Sequence, residues 1–382
     1  MTTTSLLHAQ ALTPDGIIPD ASILLSNGKI TRVEASSGET NPAETVIDAS
    51  GLIAAPGLID IQLNGGFGLD FTDQPESIWE VARQLPRYGT TSFLPTIITS
   101  PLETIQRAMT VLRNGPPPGW QGATPLGLHL EGPFLNPQKK GAHNPRHLQT
   151  PELEKITGWS RQNGIWLVTL APELEGAAAV ITALSREDVI VSAGHSQATF
   201  EQTRTAFTQG VSCGTHLYNA MPALLHRDPG LPGALLTTPD ISFGLIADGI
   251  HVHPAMLKLA WRAKGQDGLI LVTDAMGAMG MPPGQYTIGD FTAQVDDVSA
   301  RLPDGTLAGS ILTTDAALQN MICWLGLSAA EVLPALTSAP ARLLNLTNKG
   351  VLQPGADADL VLLTPQGHLV RTLVGGETLY VR

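Results

Sequence analysis

Residues 125–131, Pro-Leu-Gly-Leu-His-Leu-Glu, run from an apolar stretch into a carboxylate, Glu131. The same order, an apolar run with one polar side chain at its downstream end, recurs at His195, His216 and Asp274. These residues are too far apart in the chain for one helix turn or one hairpin to bring them together. A barrel of parallel strands could do so, because the carboxyl ends of all its strands meet at one rim.

Eight apolar runs could supply the strands of such a barrel. Their bounds are 57–63, 91–98, 125–131, 165–171, 189–194, 211–216, 241–247 and 269–273. Amphipathic segments that predict helices lie between them, at 75–88, 101–113, 150–162, 198–209 and 253–264. Apolar strands that alternate with helices predict a parallel sheet covered on its outer face. Eight such units favour an α/β fold closed into a (β/α)8 TIM-type barrel. The first strand is not followed by Gly-x-Gly-x-x-Gly, which weakens the alternative of a dinucleotide-binding fold.

Two of the predicted helices have start signals. Residues 100–103, Ser-Pro-Leu-Glu, offer an N-cap hydroxyl, a proline at the first helical position and a carboxylate three residues after the cap. This combination predicts a capping box. Thr150 and Pro151 begin the helix predicted at 150–162 in a similar way.

The two chain ends differ from the barrel segment, residues 55–348. Residues 1–54 and 349–382 contain short alternating stretches typical of half-buried strands, and Asn27-Gly28 between two of them is a strong hairpin signal. Neither end can bury enough apolar surface alone. We therefore expect both ends to pair into one small accessory β-sandwich domain beside the catalytic barrel, whose last helices come from 314–347.

The composition limits the possible classes of function. The chain has 382 residues, 43% hydrophobic and 15% charged, and its 22 basic and 34 acidic residues give a net charge of -12. This balance argues against a nucleic-acid surface and against an anionic membrane face. The two cysteines imply no disulfide framework, the first residues do not form a signal peptide, and no apolar run is long enough to span a bilayer. We expect a soluble, cytoplasmic protein.

The four strand-end residues predict a metal site. One carboxylate and two imidazoles, from Glu131, His195 and His216, suit a divalent ion and leave a coordination position open for water. Asp274 beside them would serve as a general base and acid. A single histidine after a strand has a simpler interpretation as an ordinary rim residue, and Asp274 could be a helix N-cap. The occurrence of all four residues together favours catalysis.

Gln62 and Asn64 end the first predicted strand and face the same side, since side chains alternate along a strand. A His-x-His pair at this place would supply two further ligands. Amides are poor ligands for zinc-like ions but good hydrogen-bond partners for water. We therefore predict one tightly bound ion and assign both amides to its surroundings.

Several motifs together resemble one known family. They are Pro-Gly-Leu-Ile-Asp at 56–60, Leu-Glu-Gly-Pro-Phe at 130–134, Ala-Gly-His-Ser at 193–196, Thr-His-Leu-Tyr-Asn-Ala-Met at 215–221, Asp-Gly-Ile-His at 248–251, Thr-Asp-Ala at 273–275 and Gly-Ala-Asp-Ala-Asp-Leu at 355–360. The chain resembles the N-acetylglucosamine-6-phosphate deacetylases of the amidohydrolase superfamily over nearly its whole length. The second and fourth motifs are long and specific, whereas the first alone indicates only an amidohydrolase.

The resemblance implies a reaction and a role for each site residue. Family members hydrolyse the acetamide of N-acetyl-D-glucosamine 6-phosphate to D-glucosamine 6-phosphate and acetate, a step of amino-sugar catabolism and cell-wall recycling. It implies that Glu131, His195 and His216 bind the metal, that Asp274 is the general base and acid, and that His143 polarises the substrate carbonyl. The residues implied in substrate binding are Ala142, His143, Asn219, Ala220, Arg227, His251, Leu307, Ala308 and Gly309.

The resemblance also implies cofactors and partners. We expect one divalent ion per chain, zinc in the first place, although a Glu/His₂ site also accepts iron, manganese or cobalt. The pair Gln62 and Asn64 is similar to the single-metal branch, while other branches have His-x-His there, so a second ion stays open. Members are commonly homodimers, and Arg227 lies in a segment able to reach across the dimer interface. The expected ligand is a phosphorylated amino sugar, with no nucleic acid and no membrane.

Two alternatives stay open at this point. The first is another amidohydrolase activity, on a cyclic amide or an N-acyl amino acid, which would not need Arg227 and His251 for a phosphate. The second is a non-catalytic barrel that binds sugar phosphates. Release of acetate by metal-replete protein separates the second alternative from an enzyme.

Overall fold

The computed structural model describes residues 3–36 and 43–382. Within them, eight parallel strands form the predicted barrel. They are Leu58–Leu63, Thr90–Ile98, Leu128–Glu131, Ile165–Leu170, Ile190–Ala193, Val211–Gly214, Ser242–Leu245 and Leu269–Leu271. Each strand pairs in parallel with the next one. The eighth meets the first through a bridge between Leu63 and Ala275 and a 2.9 Å bond from the Asp274 amide to the Gln62 carbonyl, so the predicted fold class is confirmed.

The barrel is covered by helices on its outside. The α-helices in the described part of the chain are Ile78–Gln84, Leu102–Asn114, Ala177–Arg186, Phe200–Gln209, Gly230–Thr237, Pro254–Gly268, Thr314–Leu325, Ala329–Val332 and Ser338–Leu343. The 3-10 helices are Pro75–Ser77, Leu85–Tyr88, Pro137–Lys139, Pro145–His147, Leu153–Ile156 and Leu333–Leu336. Four of the five helices predicted between the barrel strands are present. The helices at Ala177–Arg186 and Gly230–Thr237 were not predicted.

The prediction of a helix over 150–162 is wrong. Only the single 3-10 turn Leu153–Ile156 forms there. Thr157 after it leaves the helical region with a ψ of 123°, and Gly158 is left-handed with a φ of 81°. Buried Ile156 and Trp159 instead anchor the segment to the core. The start signal at Thr150 and Pro151 therefore does not open a helix.

The predicted capping box at 100–103 does not form. The helix begins at Leu102 without a side-chain cap, and the buried Ser100 hydroxyl finds no hydrogen-bond partner among the described residues. Complete capping boxes lie elsewhere, between Thr199 and Gln202 and between Ser328 and Glu331. A serine and a glutamate at the right spacing were therefore insufficient to produce the cap.

Both chain ends contribute to one further sheet with eight strands in the described residues. These strands are Thr3–Thr13, Gly16–Ser26, Lys29–Ala35, Thr45–Asp48, Ile53–Pro56, Leu360–Leu363, Leu369–Val374 and Glu377–Val381. The sheet branches at Thr3–Thr13, which pairs in turn with Thr45–Asp48 and Ile53–Pro56. Residues 1, 2 and 37–42 of the predicted accessory domain lie outside the described residues. Asn27 and Gly28 form the predicted hairpin turn, both with positive φ, between Ser26 and its partner Lys29.

The accessory sheet and the barrel meet at the start of the first barrel strand. Ile53–Pro56 pairs with Leu360–Leu363, whose side chains alternate between the two hydrophobic cores. Gly57 then leads into the barrel with no room for a side chain, because an added Cβ would lie 2.1 Å from the Thr91 hydroxyl oxygen. The close approach of two strands thus explains the glycine of Pro-Gly-Leu-Ile-Asp.

A small antiparallel sheet follows the eighth barrel strand, in a region for which no strands were predicted. Its strands are Gly284–Ile288, Phe291–Val295 and Ala300–Arg301. Buried Met276 and Ala278 pack with Ile288 and Val295 in a separate hydrophobic cluster. The segment after Asp274 is therefore packed at its start, and the small sheet forms part of the wall at the barrel rim.

Within residues 3–36 and 43–382, no single helix is both long and apolar enough to cross a bilayer. The pair Thr314–Leu325 and Ala329–Leu343 reaches the required length and apolarity only when taken together, and it is bent by 117° at the break.

Candidate active site

A cavity of about 700 Å³ opens at the carboxyl rim of the barrel. Most of the predicted site residues line it, namely Asn64, Glu131, Ala142, His143, His195, His216, Asn219, Ala220, His251, Asp274, Leu307 and Gly309. Three predicted residues do not line it. Ala308 is fully buried next to the lining, Gln62 lies behind Glu131, and Arg227 is exposed on a neighbouring loop.

The side chains of Glu131, His195 and His216 converge on one point although three different strands supply them. The Nε2 atoms of the two histidines are 3.0 Å apart, and each lies 3.1 Å from Glu131 Oε1. All three residues are at most 5% exposed. Among the described residues, this is the group of histidine, cysteine and carboxylate side chains whose geometry suits a metal ion.

The hydrogen bonds around this cluster fit a cation. His195 Nδ1 lies 2.7 Å from the Lys139 carbonyl, which can only accept, so Nδ1 carries the proton and Nε2 presents a lone pair. Nε2 of His195 and Oε1 of Glu131 are then two acceptors that face His216, which can donate at most one proton from its Nε2. A bound ion would satisfy both of these acceptors and, with the His216 proton on Nδ1, the Nε2 lone pair of His216 as well. The donor set of one carboxylate and two imidazoles is one that zinc and similar ions take.

Asp274 lies beside this cluster and is oriented by the two amides of the first strand. Its Oδ1 accepts a 2.8 Å bond from Asn64 Nδ2 and a 3.2 Å bond from Gln62 Nε2. The same Gln62 nitrogen donates to Glu131 Oε1 at 3.0 Å, so one amide joins both carboxylates. Burial, and then the negative charge of Glu131, raise the pKa of Asp274 to about 6. A carboxyl group with such a pKa can both accept and return a proton near neutral pH.

His143 reaches the cavity as a neutral imidazole. The Thr99 backbone amide donates to its Nδ1 at 3.3 Å, so the ring proton resides on Nε2. Burial, and then the neighbouring His195, lower the pKa of His143 to about 3. Its Nε2 lies 3.8 Å from Glu131 Oε2, next to the cluster of Glu131, His195 and His216. His143 is therefore placed to donate a hydrogen bond to a substrate oxygen.

Three of the four strand-end residues have a left-handed backbone. The φ angles are 49° at His195, 30° at His216 and 48° at Asp274. Non-glycine residues adopt this conformation only when the surrounding structure holds them there, and such residues concentrate at functional sites. The sharp turn at each strand end directs the side chain over the barrel mouth.

Asn219, Ala220 and His251 form a further part of the cavity wall. His251 is held by Asp248, whose carboxylate lies 2.6 Å from His251 Nδ1 and also accepts from the His251 backbone amide. Burial is the largest single effect on Asp248 and raises its pKa, but the contacts with His251 and the backbone amide of Ile250 together outweigh burial and lower the pKa of the carboxyl. The Asp248 carboxylate thereby fixes the orientation of the His251 ring in the cavity wall.

Several residues near the cavity were not singled out by sequence. Thr99 sets the tautomer of His143, the Lys139 ammonium donates to the Met221 carbonyl at 2.6 Å, and Arg301 lines the cavity from the small antiparallel sheet. Glu173, three residues after the fourth barrel strand, bonds to the segment after His195. Its position after an apolar strand is the same signal that pointed to Glu131, so this residue could have been found from the sequence.

Comparison with known proteins places this site in context. The family model of the amidohydrolase family matches residues 53–379. The chain is 40% identical to the N-acetylglucosamine-6-phosphate deacetylase of Bos taurus, over 90% of this chain and 87% of the relative. It is 38% identical to the N-acetylgalactosamine-6-phosphate deacetylase of Escherichia coli O157:H7, over 98% of this chain and 99% of the relative.

Solved structures are similar over the whole chain. The N-acetylglucosamine-6-phosphate deacetylase from Pasteurella multocida superimposes with a TM-score of 0.93 at 30% identity, and the match covers 100% of both chains. A mutant of the enzyme of that name from Mycobacterium smegmatis, in complex with N-acetyl-D-glucosamine-6-phosphate, gives 0.91 at 28% identity, again over 100% of both chains.

Proposed function

The chain belongs to the amidohydrolase family and, within it, to the N-acetylglucosamine-6-phosphate deacetylases, and from this membership we propose its reaction. The protein hydrolyses the acetamide of N-acetyl-D-glucosamine 6-phosphate to D-glucosamine 6-phosphate and acetate, a step of amino-sugar metabolism. The observation that carries the proposal is the link through Gln62, whose amide joins Glu131 of the metal-binding cluster to Asp274 within one cavity wall.

We infer that Glu131, His195 and His216 bind one divalent ion, with zinc as the first candidate. The inference rests on the 3.0–3.1 Å separations of their donor atoms, on their burial, and on the lone pair of His195 Nε2. When bound, such an ion polarises the acetyl carbonyl and lowers the pKa of water. Gln62 and Asn64 are already engaged with Asp274, which favours a single ion over a second one at this strand end.

Asp274 and His143 have different roles in the proposed hydrolysis. Asp274 removes a proton from the attacking water as the new C–O bond forms at the acetyl carbon. The Nε2 proton of His143 stabilises the negative charge that develops on the carbonyl oxygen. Asp274 then returns the proton to the amine nitrogen as the C–N bond breaks, which leaves acetate and the free amino sugar. Asn64 and Gln62 keep Asp274 oriented throughout.

The phosphate of the substrate is assigned to the wall formed by Asn219, Ala220 and His251. Leu307 and Gly309 line the same cavity, and Ala308 between them in the chain is buried. A phosphate on this wall would meet His251, whose ring Asp248 holds in place.

We propose that the active protein is a homodimer in which Arg227 binds the phosphate of the neighbouring subunit. Arg227 is exposed and does not line the cavity of its own chain. Leu225 on the same loop is 54% exposed, and Ile250 beside His251 is 38% exposed, which suits an apolar contact between subunits. A second copy seated there would cover these side chains.

Replacing Arg227 with alanine is expected to raise KM for the phosphorylated sugar about 10- to 100-fold. The reason is the loss of charge-assisted hydrogen bonds, each worth roughly 1.5–3 kcal/mol. Activity on unphosphorylated N-acetylglucosamine is expected to stay at its wild-type level. Steady-state kinetics on both sugars test this, with Arg262→Ala on an outer helix as the control. An unchanged KM for the phosphorylated sugar would refute the assignment.

Hybrid dimers identify the subunit that Arg227 serves. Mixing the inactive Asp274→Asn protein with Arg227→Ala protein creates dimers in which one site has its own Asp274 and the partner's arginine. If Arg227 acts across the interface, the mixture regains wild-type KM at those sites. If it acts within its own chain, no site regains it. Sedimentation of the separate proteins establishes whether they are dimers.

The function itself is tested by acetate release from three sugars. Metal-replete protein is expected to release acetate from N-acetylglucosamine 6-phosphate much faster than from the unphosphorylated sugar. The third sugar is N-acetylgalactosamine 6-phosphate, because the Escherichia coli relative at 38% identity is named as a deacetylase of that sugar phosphate. Faster turnover of the galactose epimer would reassign the sugar while keeping the reaction. Absence of acetate release from all three sugars would favour the alternative of a non-catalytic sugar-phosphate-binding barrel. The other alternative, hydrolysis of a cyclic amide or an N-acyl amino acid, is not favoured by the relatives.

The cytoplasm remains our prediction for the compartment. It rests on the cysteines, since Cys213 and Cys323 are both free and form no disulfide.

A further inference from the structure

Glu173 is a polar residue whose contacts the mechanism above does not use. It lies three residues after the fourth barrel strand, Ile165–Leu170, and it does not touch the cavity. Its carboxylate accepts three short hydrogen bonds from two different loops. Oε1 accepts from Asn136 Nδ2 at 2.8 Å and from the Gln197 amide at 2.6 Å, and Oε2 accepts from the Ser196 hydroxyl at 2.7 Å.

Both loops that Glu173 joins hold the metal-binding residue His195. Ser196 and Gln197 follow it directly in the chain. On the other side, the Asn136 backbone amide donates to the His195 carbonyl at 2.9 Å. The Asn136 side chain also caps the 3-10 helix Pro137–Lys139 by accepting from the Gln138 amide at 2.9 Å. Glu173 therefore contacts the segment that follows His195 and the segment that packs against the His195 backbone.

The 3-10 helix in turn orients the imidazole. Its last residue, Lys139, offers the carbonyl that accepts from His195 Nδ1 at 2.7 Å and so turns the Nε2 lone pair toward Glu131. The His195 backbone is left-handed, with a φ of 49°, and such a conformation persists only where neighbours hold it. The Glu173 carboxylate thus links the segment that follows His195 to the segment that orients the His195 imidazole.

We propose that Glu173 is a positioning residue for His195, and that its three hydrogen bonds keep the metal-binding cluster assembled for an incoming divalent ion. The proposal rests on the proposed function in taking His195 as a metal ligand. Hydrogen-bond partners behind metal-binding histidines commonly change metal affinity about 10- to 100-fold when they are removed. Glu173 acts one step further back, because it holds the chain that follows the ligand and the neighbouring loop at Asn136 rather than the imidazole itself.

The test measures zinc affinity of the full-length metal-free protein by competition with a chromophoric chelator, in the absence of substrate. Glu173→Ala is expected to weaken zinc binding about 10- to 100-fold, the range for such partners. At saturating zinc, kcat is expected to return to within a few-fold of wild type with KM unchanged. Glu175→Ala is the matched control, because Glu175 is exposed two residues further on and is expected to bind zinc like wild type.

A conservative variant separates hydrogen bonding from charge. Glu173→Gln keeps an oxygen that can accept from Asn136 and Gln197, while its NH₂ group can donate to the Ser196 hydroxyl, so it is expected to retain most of the zinc affinity. An equal loss in Glu173→Gln and Glu173→Ala would overturn the proposal, because charge alone would then account for the effect. Wild-type zinc affinity in a folded Glu173→Ala protein would overturn it as well.

Ser196→Ala keeps the carboxylate and serves if Glu173→Ala does not fold. It removes the donor to Oε2 and is expected to weaken zinc binding about two- to tenfold, the value of one such hydrogen bond. Unchanged zinc affinity in this variant would contradict the proposal. Failure of the proposed function has a different signature, since a protein that binds zinc but releases no acetate would leave these affinities measurable. Wild-type protein that binds no zinc would refute the metal site itself.

Discussion

The Asp274→Asn variant is expected to lose at least 10²–10⁴-fold in kcat, the usual contribution of a positioned acid or base. Asparagine has the shape of aspartate and its oxygen can still accept from Asn64 and Gln62, which donate to Oδ1 at 2.8 and 3.2 Å. It cannot take up a proton from water or return one to the amine. The chemistry is therefore lost while the cavity keeps its form.

Binding measurements on the same variant separate chemistry from assembly. Zinc affinity and the dissociation constant of N-acetylglucosamine 6-phosphate are expected to stay near wild type, the latter measured by calorimetry on the metal-loaded variant. Asp267→Asn, at an exposed site on the outer helix Pro254–Gly268, is the control for a lost carboxylate and is expected to be fully active. Near-normal turnover by Asp274→Asn would refute the proton-transfer role.

His216→Ala is expected to lose both the bound ion and turnover. Nε2 of His216 lies 3.0 Å from that of His195 and 3.1 Å from Glu131 Oε1, and alanine leaves only two of the three donors in place. A bound ion lowers the activation free energy by several kcal/mol because it stabilises the developing charge. Each 1.4 kcal/mol of this stabilisation that is lost lowers the rate about tenfold. Metal analysis of the purified protein and acetate release together measure the effect.

The control for this variant is His147→Ala, which removes an imidazole that contacts Asp290 on the surface at 2.9 Å. It is expected to keep its metal and its activity. Added zinc at high concentration is expected to restore His216→Ala only in small part, because the remaining donors hold the ion weakly. A His216→Ala protein with a full complement of metal and wild-type turnover would exclude this cluster as the metal site.

Much of the barrel could be predicted from local patterns. Each of the eight apolar runs overlaps a barrel strand, because a strand covered on both faces must be apolar along its length. The same reasoning located Glu131 at a strand end, together with the three polar residues that follow other strands. Parallel strands point in one direction, so these residues had to reach one rim whatever the loops did. The Asn27-Gly28 turn was also predictable, because its backbone angles are set by those two residues.

The signals that failed were those that depend on what surrounds a segment. Thr150 and Pro151 have the residue types of a helix start, yet no helix forms after them, because Gly158 is left-handed and Trp159 is buried in the core. The Ser100 hydroxyl had the right spacing for a cap and is buried without one. Local propensity is worth about 1 kcal/mol per residue or less, which the packing of a single large side chain outweighs.

The sequence by itself determined the barrel, the accessory sheet and the identity of the residues at the rim, because these follow from periodicity and from the direction of strands. Only the tertiary structure decided how those residues face one another. The lone pair of His195 depends on the Lys139 carbonyl, Glu173 joins the loop after His195 to the loop at Asn136, and Arg227 lies outside the cavity of its own chain. Such contacts join loops far apart in the chain, and their geometry is set by packing that no local pattern records.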